Sequence, residues 1–382
     1  MVILPASKLP AVGTSIFTVM SHLAQTHGAI NLSQGFPDFD CPTELAELVC
    51  KYTRDGYNQY APMAGVLKLR ENISRKTNLL YGVNPDPATE ITVTSGATEA
   101  LFAAIASVVR PGDEVIVIEP AYDSYVQAIL LNGGKPVMVP LTFPDLKIDW
   151  DLVKRRINTK TRLIILNSPH NPTGATLTDT DLTQLTHIVS PTDIFLIGDE
   201  VYEHMVYDGQ PHQSLLRRPE LANRSFVISS FGKTYHATGW KVGYCIAPPA
   251  LTQEFRKIHQ YLTFSTITPV QYALADYLEN TNHYLSLPDF YEQKRNLFCT
   301  LMASSRFKIM PSAGTYFQLA YYGAITSEPD QVFAQRLTTE IGVAAIPVSV
   351  FYHNQQDHQV LRFCFAKNEA ILRRAAEKLC TL

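Results

Sequence analysis

Through the middle of the chain, short unbroken apolar runs alternate with stretches of helical period. "EITVTSG" predicts a strand ending at Ser95-Gly96, and "ATEALFAAIASVV" a helix stopped by Pro111-Gly112-Asp113. "EVIVIEP" is a second strand, "YDSYVQAILLNGG" a helix with a glycine stop, and "KPVMVPL" a third strand. "TRLIILNSPHNPTG" reads as a strand running into a polar loop, and "DLTQLTHIVS" as a helix. "IFLIGDEVY" and "RSFVISSFGK" are two further strands. Strands separated by crossover helices define an α/β unit with a mostly parallel sheet. Their unbroken apolar character fits a sheet covered on both faces.

After about Asn280 the texture changes. Long helical stretches such as "FYEQKRNLFCTLMASS" alternate with "GTYFQLAYY" and "VLRFCFA", which suggests a smaller α+β unit. The turn-rich N-terminal segment, with "SQGFPDFDCP", is expected to join it. The expected division is a large unit over 41–280 and a small one built from 1–40 and 281–382.

Composition narrows the function classes. A chain of 382 residues suits two or three domains, and 46% apolar residues is ordinary for an enzyme with a sizeable core. A net charge of −3 gives no electrostatic reason to expect nucleic acid or an anionic membrane as partner. The six cysteines form no C-x-x-C pair and no zinc-spaced cluster, so no metal is expected. Their scatter suggests reduced thiols in the cytoplasm. Neither a secretory leader nor an apolar run long enough to span a bilayer is evident.

In open α/β sheets ligands sit beyond the carboxyl ends of the strands. Ser95, Asn171, Asp199 and Lys233 each follow an apolar strand. A lone lysine is usually a surface residue, but Lys233 has company. An amine nucleophile needs a carbonyl partner, which pyridoxal 5'-phosphate supplies as an aldehyde. Such a cofactor asks for an anion at its ring nitrogen, donors for its 3′ oxygen and a phosphate cradle. Asp199 suits the first, although it would equally cap a helix. Tyr202 and Asn171 suit the second, although Asn171-Pro172 alone would be a turn starter. Backbone amides of Gly96 and Ala97 at a helix start, with Ser230 and Lys241, suit the third. Tyr122 would stack on the ring or simply pack in the core.

With these residues in hand, the chain resembles the fold-type I class I/II aminotransferases. The resemblance rests on "SSFGKTYHATGWKVGY", "NSPHNPTG" and "GDEVYEHMVYDG", joined in order by "NLSQGFPDF", "YNQYAPMAG" and "RFCFAKNEA". It is most similar to the methionine/glutamine/kynurenine branch, which shares lysine rather than arginine in "GWKVG". The resemblance implies a seven-stranded-type, mostly parallel sheet plus a small α+β unit, and a pyridoxal 5'-phosphate cofactor.

It also implies roles. Lys233 carries the cofactor and moves the proton, and Asp199 pairs with the ring nitrogen. Asn171 and Tyr202 bind the 3′ oxygen. Ser95, Gly96, Ala97, Ser230 and Lys241 surround the phosphate, with Tyr60 from a second copy in a homodimer. Arg362 clamps the substrate α-carboxylate through its bidentate fork rather than making a surface ion pair. Gly35 gives the substrate room, and the Asn171–Pro172 bond is expected cis. Phe17, Phe36, Tyr60 and Phe264 are pocket walls by the same resemblance, or ordinary packing residues.

The implied reaction moves an amino group to a 2-oxo acid by a ping-pong route. "HQYLTFSTITPV", free of arginine, favours methionine first, then Phe, Tyr, Gln or kynurenine. The alternative on the same residues is C–S β-lyase action on cysteine conjugates. A sensor half of a transcription regulator would need a DNA-binding domain ahead of a match that already begins within the first forty residues. A nicotinamide dehydrogenase would need a G-x-G-x-x-G that the chain lacks.

Overall fold

A computed structural model of the chain describes residues 6–382. The first helix, Ile16–Thr26, starts at Ser15, whose side chain accepts the Thr18 amide. A two-residue strand, β1 (Ile30–Asn31), follows. Helices Thr43–Arg54 and Leu67–Tyr81 lead into the main sheet, the second ending on left-handed Gly82.

That sheet is built from β2 (Ile91–Thr94), β3 (Glu114–Glu119), β4 (Lys135–Pro140), β5 (Thr161–Asn167), β6 (Phe195–Asp199), β7 (Ser225–Ser230) and β8 (Gly243–Ile246). Its order is β2-β8-β7-β6-β5-β3-β4. The pairs β3–β4, β3–β5, β5–β6 and β6–β7 are parallel, while β8 runs antiparallel to both neighbours. The expected sheet is therefore present, with β8 as its reversed strand. Central strands are buried along nearly their whole length, as the unbroken apolar runs require. One apolar cluster joins the helix Gly96–Val108 to Val115, Val117, Leu163, Ile165 and Ile197. A larger one covers the other face through Ile116, Ile164, Leu166 and Leu196.

Beyond the helices Pro249–Leu262, Thr268–Leu278 and Leu287–Leu301 lies a four-stranded antiparallel sheet. It comprises β9 (Lys308–Ile309), β10 (Phe317–Tyr321), β12 (Ile346–Pro347) and β13 (Val360–Cys364). The remaining strand, β11 (Val343–Ala344), pairs in parallel with β1, tying the N-terminal segment to the C-terminal region. Arg362 sits in mid-β13 opposite Leu319 of β10.

Candidate active site

The carboxyl ends of β5, β6 and β7 open onto a cavity of about 190 Å³. Gly96, Ala97, Tyr122, Asn171, Asp199, Tyr202, Ser230, Lys233 and Lys241 all line it. Asp199 is the last residue of β6 and is buried. Where a helix was one reading of the residues after it, the chain makes turns instead. Lys233 lies in the single-turn helix Phe231–Thr234 just past β7. Asn171 stands in the loop after β5, held by its backbone amide donating to Asn167 Oδ1 at 2.8 Å. The Asn171–Pro172 bond is cis.

Burial acts on the two titrating groups in opposite directions. It raises the Asp199 carboxyl to about 6, against the Tyr125 hydroxyl, the Val201 amide and Lys233, which favour its charged form. It lowers Lys233 to about 8, with the nearby Arg362 and Lys241 charges also favouring loss of its proton. Lys233 Nζ donates to Gly35 O at 3.0 Å and to Tyr316 OH at 2.9 Å. An amine so placed is neutral for a useful fraction of the time near neutral pH.

Gly96 and Lys241 meet on the opposite side. Gly96 has φ +79, and a Cβ there would come within 3.3 Å of Lys241 Cε. Lys241 itself is left-handed, φ 56. The helix Gly96–Val108 therefore presents its first amides beside a lysine charge, a combination that suits an anion. Ser95 stands just outside the cavity lining, its amide donating to Glu99 Oε2 at 3.1 Å.

Arg362 is fully buried. Its Nη1 donates to Asn171 Oδ1 at 2.7 Å and its Nη2 to Ser33 O at 3.0 Å. Its Nε is buried without a partner among the described residues. The guanidinium carbon lies 3.9 Å from the Phe317 ring centroid, with Phe17 at 5.4 Å and Phe351 at 5.6 Å. Burial lowers it to about 10, so it remains charged at neutral pH. Where a Gly35 Cβ would stand, Phe317 is already 2.9 Å away.

Not all predicted residues gather in one chain. Tyr60 is 85% exposed and Phe264 42%, and their rings touch edge to face at 5.6 Å, outside the cavity. Phe36 is also exposed, with Lys367 over its ring. Sequence reasoning in turn missed Tyr125, whose hydroxyl donates to Asp199 Oδ2 at 2.5 Å. It also missed Asn167, Tyr316, Phe317 and Phe351. Tyr125 carried a local signal, lying three residues beyond Tyr122, and so did Asn167, the polar end of the apolar run that became β5. A larger, more apolar cavity of about 470 Å³ shares Asn167 with the site but is lined by none of Lys233, Lys241 and Asp199.

A lysine past β7, a buried carboxylate closing β6 and a charged arginine caged by phenylalanines form a set suited to moving protons and amino groups on a carboxylate substrate. Residues 27–379 match the model of aminotransferase class I and II, and the chain belongs to that family. It is 52% identical to the methionine aminotransferase of Escherichia coli over 378 residues, covering 99% of this chain and 98% of that one. A solved Escherichia coli structure, YbdL, described as identifying a methionine aminotransferase function, superposes with a TM-score of 0.98 at 52% identity over 100% of both chains. The kynurenine–oxoglutarate transaminase of Dictyostelium discoideum is 34% identical, with 99% of this chain and 97% of that one covered.

Proposed function

We propose that this aminotransferase binds pyridoxal 5'-phosphate in the cavity at the ends of β5–β7 and takes methionine as its preferred amino donor. Phe, Tyr, Gln and kynurenine-type donors follow, and a 2-oxo acid is the acceptor. The observation that carries the reading is the aromatic cage around Arg362 beside Lys233. A charged guanidinium with an orphaned Nε fits a carboxylate, and its phenylalanine surround fits a thioether or an aromatic side chain better than a second carboxylate. The name of the Escherichia coli relative supports the same donor. The C–S β-lyase alternative finds no support among these relatives.

The residues fit the cofactor. Lys241 and the amides of Gly96 and Ala97 would hold its phosphate, with Ser230. Asp199 would hold its ring nitrogen, Asn171 and Tyr202 its 3′ oxygen, and Tyr122 one ring face. When bound, the group supplies an aldehyde that takes the amino group and a ring that accepts the electron pair left by Cα. Everything else falls to the protein. Arg362 fixes the substrate carboxylate and so orients the Cα–H bond. Lys233, its pKa lowered by burial to about 8, takes the proton from Cα and delivers it again. Asp199, held by Tyr125, keeps a proton at the ring nitrogen.

We also propose a division into a large unit over 41–280 and a small one from 1–40 and 281–382. It is supported by the separate seven- and four-stranded sheets and the β1–β11 pair. A second copy of the chain would cover the exposed aromatics Tyr60, Tyr261 and Phe264 and bring Tyr60 to its partner's phosphate site. A cytoplasmic location suits the six unpaired cysteines. The test is a set of single-turnover half-reactions on the holoenzyme, following cofactor absorbance with each amino acid. Methionine should convert it fastest. Faster conversion by aspartate or alanine would overturn the donor assignment.

A further inference from the structure

Phe351 belongs to the short turn Ser349–Phe351, and its ring lies 5.9 Å from that of Phe17 as well as beside Arg362. This turn is fastened at both ends by buried carboxylates from distant parts of the chain. At its start Asp330, 1% exposed, accepts the Ser349 amide at 2.7 Å and the Ser349 hydroxyl at 2.6 Å. Just past its end Glu119, 2% exposed, accepts the His353 amide at 2.9 Å and faces His353 Nδ1 at 3.0 Å. Between them the Phe351 carbonyl accepts the Ala121 amide at 2.8 Å.

Glu119 closes β3, and Tyr122, three residues on, lines the cofactor cavity. One junction therefore joins the wall of the cavity to the wall of the Arg362 cage. A buried carboxylate is a costly way to hold a turn, because desolvation opposes it and an apolar contact would serve for adhesion alone. What it adds is direction. Among the described residues every side-chain hydrogen bond to Glu119 comes from His353, and two bonds from one residue fix the position and rotation of the turn.

We propose that Glu119 and Asp330 are positioning residues for the substrate carboxylate site: they set the Ser349–His353 turn so that Phe351 packs against Arg362. Phe351 is then a wall of that carboxylate site. The proposal rests on the reading of Arg362 as the carboxylate clamp. The probe is 4-(methylsulfanyl)butanoate, methionine without its amino group, which binds but cannot react. Its Kd is measured by calorimetry on the holoenzyme, alongside kcat and KM for methionine.

Glu119→Ala should raise Kd and KM together by about five- to tenfold, leaving kcat within about twofold. Glu119→Gln, which still accepts the His353 amide, should recover most of that loss. Phe351→Leu should give a similar rise, and adding Glu119→Ala to it should add little, since both act through one ring. His353→Ala, which removes the ring but keeps the backbone amide bond to Glu119, should raise Kd about two- to threefold. Full additivity of Glu119→Ala and Phe351→Leu, a fall in kcat at constant KM, or an unmoved Kd in His353→Ala would each overturn the proposal. Failure of the wild-type holoenzyme to bind the probe or convert methionine would overturn the functional reading as well, and shows before any variant is made.

Discussion

Lys76 and Glu203 form an ion pair at 2.6 Å with both side chains only 3% exposed. Glu203 also accepts from Tyr244 OH at 2.9 Å, from Tyr81 OH at 2.5 Å and from the Ser229 hydroxyl. Ser229 adjoins Ser230, which lines the cavity, so the pair lies directly behind the loop that carries Lys233. Burial alone would raise the Glu203 carboxyl, but Lys76 and these hydrogen bonds overcome that and hold it well below the usual range. Lys76→Met removes the cation and leaves the buried carboxylate with hydroxyl donors alone. Breaking a buried pair from one side costs about 3–5 kcal/mol. At about 2.1 cal/mol/K per residue the whole chain unfolds with about 0.8 kcal/mol/K, so the melting point should fall by about 4–6 °C at neutral pH.

The sign with pH is diagnostic. In the wild type the folded carboxyl titrates below its unfolded value of 4.5, so its contribution is present above that value and lost as pH falls further. In Lys76→Met burial dominates and the folded value rises above 4.5. The variant is therefore penalised as pH climbs through that raised value and relieved below it. The gap between the two proteins should be widest near pH 7.5 and narrow toward pH 5. Melting both holoenzymes across that range by calorimetry checks it. A gap below about 1 kcal/mol, or one that does not change with pH, would refute the reasoning.

Other outcomes follow from the cavity. Asp199→Asn should stabilise the apoenzyme by up to about 3 kcal/mol at pH 7, because the native carboxyl is raised from 3.8 to about 6. The wild-type carboxyl favours the fold below 3.8 and loses that contribution as pH rises through 6, so the variant's advantage should vanish near pH 4 in denaturant titrations. Lys233→Ala should abolish turnover while retaining cofactor absorbance after gel filtration, whereas Lys241→Ala should chiefly weaken cofactor affinity. Reconstitution of apoenzyme should speed up as pH rises toward about 8, where Lys233 loses its proton, and level off above; a flat profile would contradict that value. Arg362→Lys should raise KM for methionine by about tenfold or more through loss of the planar fork, with a smaller change in kcat.

Most residues that act at strand ends were legible from the chain alone, Asn167 at the end of β5 being the exception. Asp199 and Lys233 each terminate or follow an apolar run, and the polar residue there is conspicuous because the run is not. Most of the missed residues act through partners far away in sequence. Tyr316 meets Lys233 across 83 positions and Glu119 meets His353 across 234. Phe317 and Phe351 sit in apolar stretches whose periodicity says only that they are buried. The reversal of β8 was equally hidden, since a four-residue apolar strand reads the same in either direction. Tyr60 did not join the cavity for a different reason: its proposed place is in a second copy of the chain, whereas Phe264, expected as a pocket wall, packs on Tyr60 at the surface.

That reversed strand has a consequence for how the protein tolerates change. Ser230 and Gly243 are paired across β7 and β8, so residues 231–242 form a loop with both feet nailed to the same point of the sheet. Lys233 and Lys241 hang from that one loop, so the backbone path sets how far apart their Cα atoms stand. Surface loops elsewhere can lengthen at small entropic cost. Here one added residue would shift Lys241 relative to Lys233, so the loop would act as a ruler for any ligand that meets both lysines.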